Sequence, residues 1–294
     1  MQFPLVVAGL TVGFLVGLIG MGGGAVLTPL LVLLFRVSPL AAISSDLLTS
    51  LVMMPVGAAV HLRHGTVNWR LVRWLAQGSV PAAVAGSVLI GSIGHVPGVQ
   101  ADLRLAIGIA LCTAVAMTLL RQVLDRRSTG EQDYEPLVVR PLRTVAIGVV
   151  GGFAVGMTSV GGGSLIIALL LIAYPRKLRA VTLAGTGIVQ AIPLVAAATV
   201  GHLLYGDVHL AVITSLLVGA LPGVYLGARL STRGPSAVIR PLIVAVLLAS
   251  GLTLLNVPTA LGLLAAAAGL ATTVFLRAPQ PGPVARELEP VDAE

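Results

Sequence analysis

The sequence predicts an all-α, polytopic membrane protein made of two inverted repeats and one extra C-terminal helix. Each repeat is predicted to hold a glycine-broken hairpin and three transmembrane helices. The composition supports this class, because 56% of the 294 residues are hydrophobic and only 10% are charged, against roughly 25% charged residues in soluble domains. Long apolar runs recur along the chain, and two glycine triplets cut such runs at corresponding places in its two halves.

Seven apolar runs are long enough to cross the hydrocarbon core of a bilayer, which takes about 20 residues in a helix. They lie near residues 40–61, 71–92, 102–120, 179–203, 208–230, 237–255 and 258–276. Two further segments, 4–35 and 143–174, are too long for one crossing and too short for two. A glycine triplet breaks each of these two segments in the middle.

Five regions follow from the order of these runs. We predict a first membrane repeat at 1–121, a cytoplasmic linker at 122–142, a second membrane repeat at 143–256, an extra transmembrane helix at 257–277 and a disordered tail at 278–294. The linker is charged and contains proline, and the tail is rich in proline and acidic residues. The N-terminus lacks the cationic stretch of a cleavable signal peptide, so the first apolar segment is expected to stay.

The two halves share a pattern of glycine, histidine and proline. The pattern GxxxGxxxxG that begins at Gly13 recurs 139 residues later. The patterns HLxxGxV from His61 and GxxPxxxxG from Gly78 recur 141 residues later. So many matching positions indicate an internal duplication.

The distribution of lysine and arginine tests whether each triplet segment crosses once or turns back. With single crossings, the 18 basic residues divide into eight and ten, which is no bias. With returning hairpins, sixteen lie on the side of the linker, and only Arg36 and Arg104 lie opposite. Because cytoplasmic loops are enriched in Lys and Arg, hairpins are favoured, with the N-terminus outside and the C-terminus cytoplasmic. A single-crossing, parallel repeat is the alternative.

A returning hairpin has two consequences. It leaves each repeat with an odd number of crossings, so the second repeat is inverted relative to the first, as in many secondary transporters. It also releases backbone inside the membrane, where the freed groups need partners in protein or in a water-lined cavity. A helix N-terminus at such a break offers unpaired N–H groups to an oxyanion.

The triplets are therefore predicted to bind a small anion, since glycine lets a backbone approach a ligand closely and hydroxyl groups lie beside both triplets. The predicted substrate-binding residues are Gly22, Gly23, Gly24, Thr28, Ser159, Gly161, Gly162, Gly163 and Ser164. Other glycines of the repeat, such as Gly13, Gly86, Gly148 and Gly219, are interpreted as helix-packing positions.

Polar residues within the spans are predicted to couple protons or to line a path. They are Asp46, Ser45, Thr49, Thr186 and Gln190. Two interpretations of Asp46 are left open: a proton-coupling acid that faces the cavity, and an interfacial acid that reaches water near the outer face. Thr186 and Gln190 either line a path or bond to neighbouring helices. His61 and His202 are interpreted as interfacial residues or caps rather than as proton relays.

Other functional classes find little support. The single cysteine, Cys112, indicates neither a disulfide nor thiol or metal chemistry, and no cofactor is predicted. Basic residues lie in short loops, which argues against nucleic-acid binding. An enzyme would place clustered His, Cys or acidic residues inside the membrane, and an assembly factor would expose a soluble domain, so neither is favoured. Without a P-loop, energy must come from a gradient or a partner. The expected partners are a small anion, protons and the lipid bilayer, and a homo-oligomer is compatible with the sequence.

Several segments resemble the sulfite exporter TauE/SafE family of bacterial membrane proteins. They are GLIGMGGGAVLTPLL, SSDLLTSLVMMPVGAAVHLRHGTV and GSVPAAVAGSVL in the first half, and GMTSVGGGSLIIALL, AGTGIVQAIPLVAAATVGHLLYGDV and LVGALPGVYLGARL in the second. The resemblance implies a secondary transporter in the cytoplasmic membrane, most simply an exporter, for sulfur-containing anions such as sulfite or organosulfonates. An anion uniporter or channel, or an importer of another small organic anion, is the alternative. The chain departs from the family where Thr186-Gly187 lacks an acid that similar proteins carry there.

Overall fold

The computed structural model describes residues 3–19, 24–63, 65, 67–96, 98–126, 138–160, 164–174, 180–205, 210–231 and 236–275. Within these ranges the chain forms eleven α-helices and no strand, so the predicted all-α class is confirmed. The helices are α1 (Phe3–Ile19), α2 (Gly24–Leu33), α3 (Pro39–Arg63), α4 (Trp69–Ile93), α5 (Val99–Arg126), α6 (Pro141–Thr158), α7 (Ser164–Ala173), α8 (Ala180–Tyr205), α9 (Leu210–Ser231), α10 (Ser236–Leu254) and α11 (Thr259–Phe275).

Six helices of the described chain, α3, α4, α5, α6, α8 and α9, are long and apolar enough to cross a membrane. Helices α1, α10 and α11 contain shorter apolar stretches, at Phe3–Val16, Val244–Leu254 and Ala260–Thr273. The protein is therefore a multi-pass membrane protein, as the composition predicts. The seven predicted runs agree with α3, α4, α5, α8, α9, α10 and α11, and the largest difference is at the end of α5, which continues to Arg126.

Each triplet segment holds two described helices, one on each side of residues 20–23 and of residues 161–163, which lie outside the described residues. Helix α1 ends at Ile19 and α2 begins at Gly24, while α6 ends at Thr158 and α7 begins at Ser164. The two short helices that follow the triplets, α2 and α7, have 10 residues each. The chain thus carries two long helices that each lead, through glycines, into a half-length helix.

The start of α6 and the end of α7, which are the ends far from the triplet in sequence, lie together. Tyr174 follows α7 directly and is buried, and its Oη accepts a hydrogen bond of 2.9 Å from the backbone N–H of Arg140, which precedes α6. The same Oη is 2.7 Å from Oγ1 of Thr144, in the first turn of α6. Because the start of α6 and the end of α7 meet, the second triplet segment turns back on itself.

The first helix of each repeat packs against a helix of the other repeat. A Cβ on Gly9 or Gly13 of α1 would meet the carbonyl oxygens of Leu216 and Ala220 on α9. On the other pair, Gly148 and Gly152 of α6 approach the carbonyl oxygens of Leu75 and Ser79 on α4 in the same way. Residue numbers rise together in both pairs, so the paired helices run parallel.

The two pairs correspond residue by residue under the offsets of 139 and 141 found in the sequence. Gly78 faces Val145 as Gly219 faces Val6. The packing interpretation of Gly13, Gly86, Gly148 and Gly219 is therefore confirmed, because each would place a Cβ against the backbone of a neighbouring helix. The duplication seen in the sequence is also a duplication of contacts.

Helix α8 contacts both α3 and α4. A Cβ on Gly201 would meet Ser87, and one on Gly91 would meet Tyr205, so α4 and α8 run parallel. Helix α3 runs antiparallel to α8. Ser44, near the start of α3, bonds to His202 near the end of α8, and Asn68, beyond the end of α3, bonds to Thr186 near the start of α8. One large apolar core, with residues such as Leu31, Ile43, Leu111, Ile166 and Leu194, joins these helices.

Candidate functional site

Asp46 is the centre of the most polar buried cluster in the described chain. It lies in the second turn of α3, which begins at Pro39 and is preceded by Ser38, whose Oγ accepts from the N–H of Ala41 at 3.3 Å. The Asp46 side chain is fully buried. Its Oδ2 accepts hydrogen bonds from Oγ1 of Thr28 at 2.8 Å and from Oγ of Ser159 at 2.6 Å.

A third hydroxyl completes the cluster. Oγ of Ser50, one turn further along α3, donates to Oδ1 of Asp46 at 3.2 Å. Thr28 and Ser50 are buried, and Ser159 is nearly so. The interfacial interpretation of Asp46 is therefore wrong, because the carboxyl group is enclosed by hydroxyl groups of the protein and does not reach water at a helix end.

The local backbone aims Ser159 at this carboxyl group. Ser159 adopts a left-handed conformation with φ of 58° and ends α6, where its N–H donates to the carbonyl of Val155 at 2.7 Å. The hydroxyl of Thr158 accepts from the N–H of Val160 at 3.2 Å and stabilises the same turn. A non-glycine residue with positive φ is costly and is often found at functional sites.

The cluster joins the flanks of both triplets. Thr28 lies one turn after Gly24 on α2, and Ser159 lies two residues before Gly161. The structure thus brings three predicted site residues into one contact, across 113 residues of sequence between Asp46 and Ser159. Gly22, Gly23, Gly161, Gly162 and Gly163 lie outside the described residues, Gly24 and Ser164 are described only as the first residues of α2 and α7, and their predicted role stays a prediction.

The other predicted path residues lie on α3 and α8 and bond to groups other than Asp46. Thr49 donates from Oγ1 to the carbonyl of Ser45 at 2.7 Å. Thr186 accepts at Oγ1 from the backbone N–H of Asn68 at 3.0 Å, and Gln190 donates from Nε2 to Oγ of Ser79 at 2.7 Å. The interpretation that Thr186 and Gln190 bond to neighbouring helices therefore agrees with the structure.

Two of these residues keep buried polar atoms unused. Oγ of Ser45 and Oε1 of Gln190 have no hydrogen-bond partner in the structure, although both side chains are fully buried. A buried polar atom without a partner costs free energy and calls for an explanation.

His202 differs from its interpretation as an interfacial residue. Its side chain is fully buried, with Nδ1 at 3.0 Å from Oγ of Ser44 and Nε2 at 3.0 Å from the carbonyl oxygen of Gly156. A carbonyl only accepts, so Nε2 carries a proton. His202 therefore bonds α8 to α3 and α6, and it is buried because the last turns of α8 pack against α4 at Gly201.

Ser50 and His202 are the residues of the site region that the sequence interpretation missed. Ser50 could have been predicted as a partner of Asp46, because it follows Asp46 by one helical turn and lies on the same face of the helix. The position of His202 near the end of a span suggested an interface instead. Within the described residues, no group of three or more His, Cys, Asp or Glu side chains lies close enough together to hold a metal ion.

Comparisons with known proteins assign the chain to a family. The family model described as sulfite exporter TauE/SafE matches residues 5–254. The chain is 35% identical over 260 residues to the probable membrane transporter protein YjnA of Bacillus subtilis (strain 168), which covers 87% of this chain and 100% of that protein. It is 25% identical over 245 residues to the probable membrane transporter protein YdhB of the same organism, covering 83% and 96%.

A third relative matches over a shorter stretch of the chain. The chain is 26% identical over 180 residues to the probable membrane transporter protein MJ0441 of Methanocaldococcus jannaschii, covering 59% of this chain and 63% of that protein. No solved structure matches the chain. Since the family model covers most of the sequence and the match to YjnA spans that whole protein, the chain belongs to the sulfite exporter TauE/SafE family of membrane transporters.

Proposed function

We propose that the protein is a secondary transporter that exports small sulfur-containing oxyanions, such as sulfite or organosulfonates, across the cytoplasmic membrane. Family membership supports the transporter class. The observation that carries the anion site is the bonding of Thr28 and Ser159, which flank the two triplets, to a single buried carboxyl group. This contact brings the described flanks of the two triplets, at Thr28 and Ser159, to one place inside the protein.

The inverted topology is part of the proposal, and the helix directions support it. Along the sequence, helix α5 and the segment made of α6 and α7 lie between α4 and α8. If that segment crossed the membrane once, α4 and α8 would run in opposite directions. They run parallel, and the ends of α6 and α7 meet at Tyr174, as expected for a segment that returns. The charge distribution favours the same arrangement.

The triplets supply the proposed contacts to the anion. Helices α2 and α7 begin at Gly24 and Ser164, so their first N–H groups and the positive ends of their dipoles are directed to the breaks. An oxyanion can be held by such backbone groups without a cationic side chain. We assign this role to Gly22–Gly24 and Gly161–Gly163, with hydroxyl contacts from Thr28, Ser159 and Ser164.

Export agrees with the energetics of an anion. An inside-negative membrane potential favours outward movement by about 2.3 kcal/mol per charge for each 100 mV, so a uniporter needs no further coupling. Asp46 is the proposed proton carrier if coupling occurs. Ser45, Thr49, Thr186 and Gln190 are the proposed path residues, which the unpartnered Oγ of Ser45 and Oε1 of Gln190 support.

Transport by purified protein in proteoliposomes tests the proposal. We expect flux of sulfite or of a sulfonate to exceed that of carboxylates, and we expect Gly23→Val and Gly162→Val to reduce it by at least about a hundredfold. Gly262→Val is the matched control, because a Cβ at this position has a nearest neighbour only at 3.8 Å. Wild-type flux in either triplet variant would contradict the site, and no flux of any of these anions in the wild type would contradict the function.

A further inference from the structure

The hydroxyl groups of Thr28, Ser50 and Ser159 all direct their single hydrogens at Asp46. A hydroxyl has one donor hydrogen. While these bonds exist, none of the three can donate to a second oxygen. Two of the three hydroxyls proposed to contact the transported anion, those of Thr28 and Ser159, are thus already occupied by an anion that belongs to the protein.

Asp46 and a transported oxyanion offer these hydroxyls the same kind of partner, because each has oxygen acceptors that carry a negative charge. They are also incompatible as neighbours. Asp46 is fully buried, and three neutral hydroxyls surround its oxygens. A second negative charge beside it would meet strong repulsion, because charges interact strongly where water is excluded.

We propose that Asp46 is an internal ligand that competes with the transported anion for the hydroxyls of Thr28 and Ser159. The anion takes these hydroxyls only when Asp46 has bound a proton. This inference rests on the proposed function and adds the coupling step to it. A carboxylate that binds a proton becomes a neutral acid, releases at least one hydroxyl hydrogen, and leaves the anion as the only negative charge.

The charge balance defines the preferred substrate class. With Asp46 ionised the site carries one negative charge, and with protonated Asp46 and a monovalent anion it again carries one. A divalent anion would raise the charge to two in the same enclosed space. The site is therefore matched to monovalent oxyanions, of which a sulfonate is an example, and each binds together with one proton.

Few titratable groups on the surrounding helices compete with Asp46 as the source of a pH effect. His202 on α8 is the one that contacts α3, through Ser44. Helix α2 has none. The other titratable or charged side chains of described burial on α3 and the neighbouring elements are Arg63 of α3, Asp102, Arg104 and Cys112 of α5, Arg143 of α6, Tyr205 of α8 and Tyr225 of α9, and all except the half-buried Cys112 are exposed.

Binding of methanesulfonate, whose charge is constant with pH, tests the inference. We expect the dissociation constant of the wild type to rise by up to about tenfold per pH unit, the slope for one linked proton, and to level off in acid where free Asp46 is already protonated. Asp46→Asn is expected to bind with the affinity of this acid plateau at every pH. Sulfate, which is divalent, is expected to bind at least about tenfold more weakly.

If Asp46→Asn does not fold, a second variant still tests the inference. Ser159→Ala removes one donor from both ligands, so we expect weaker methanesulfonate binding in acid and a pH dependence that begins at higher pH. Ser92→Ala is the matched control, because its hydroxyl is exposed and bonds only to the carbonyl of Leu89 in its own helix. His202→Gln is expected to retain the full slope.

The outcomes separate the two proposals. Binding and transport with the same pH slope in the wild type and in Asp46→Asn, or an effect of His202→Gln alone, would overturn the internal ligand while leaving the transporter in place. Equal affinity for sulfate would overturn the monovalent preference. A wild type that binds and transports none of the anions would overturn the proposed function, and the inference with it.

Discussion

The two repeats have the same packing but different chemistry. Under the sequence offsets, Asp46, Thr28 and Ser50 of the first repeat correspond to Gly187, Ile167 and Ala191 of the second. The first set forms a hydrogen-bonded cluster. In the second, a Cβ on Gly187 would lie 3.1 Å from Cδ1 of Ile167. An apolar contact thus fills the place of the acid and its hydroxyl.

The acid and its partners thus differ together between the two repeats. A carboxyl group at position 187 would find an isoleucine where Asp46 finds a threonine, and a buried charge without partners is costly. The glycine-lined helix pairs, in contrast, correspond closely between the repeats. The duplicated part of this protein is its scaffold, whereas the buried acid is found in the first repeat only and takes one of its hydroxyl partners, Ser159, from the second.

Gly187→Asp should have the largest effect. The new acid would be buried against Ile167, and we expect the free energy of unfolding in detergent to fall by about 3–5 kcal/mol, as for a buried charge without its partner. The double variant Gly187→Asp with Ile167→Thr restores a hydroxyl and should recover at least about 1 kcal/mol. Gly187→Ala measures the steric part of this loss of stability, because it adds a Cβ without a charge. Unchanged stability of Gly187→Asp would show that the second repeat still accommodates an acid.

Enlarging the glycines of the paired helices should have an intermediate and equal effect in the two repeats. Gly13→Leu and Gly152→Leu each force a side chain against a carbonyl oxygen, of Ala220 and Ser79 respectively. We expect each to cost about 1–3 kcal/mol, with little loss for Gly262→Leu, measured by denaturant unfolding in detergent. A large cost on one side alone would contradict the equivalence of the two helix pairs.

The smallest expected effect concerns Ser45 and its counterpart, Thr186. Thr186→Val removes the acceptor for the N–H of Asn68 and should cost about 0.5–1.5 kcal/mol. Ser45→Ala removes a hydroxyl with no partner, so its stability should remain within about 0.5 kcal/mol of the wild type. Thermal unfolding of the two variants and the wild type measures these losses of stability. Equal costs would mean that Ser45 has a structural partner.

The sequence predicted most of the fold because each span can be recognised locally. Apolar length located the seven continuous helices within a few residues at most ends. The repeat offsets, read from the letters alone, agree with the contacts of Gly78 and Gly219. The inverted orientation and the domain boundaries stay predictions that the helix directions support.

The site was only partly predictable because its contacts join distant segments. Thr28 and Ser159 were identified from their nearness to the triplets, and Asp46 from its cost in a membrane. That Asp46 bonds to both depends on how α2, α3 and the end of α6 meet, which no local spacing reveals. His202 was misinterpreted for the same reason, since its burial depends on packing around the end of α8.

The exchange of first helices between repeats bears on how this protein arose and how it is made. The glycine face of α1 packs against α9, some 200 residues later in the sequence, so during synthesis its partner is absent until most of the polypeptide has been made. A half-length ancestor would have lacked that partner within one molecule. It would have covered the same face only by associating with a second copy, which makes a dimer the natural forerunner of the fused chain.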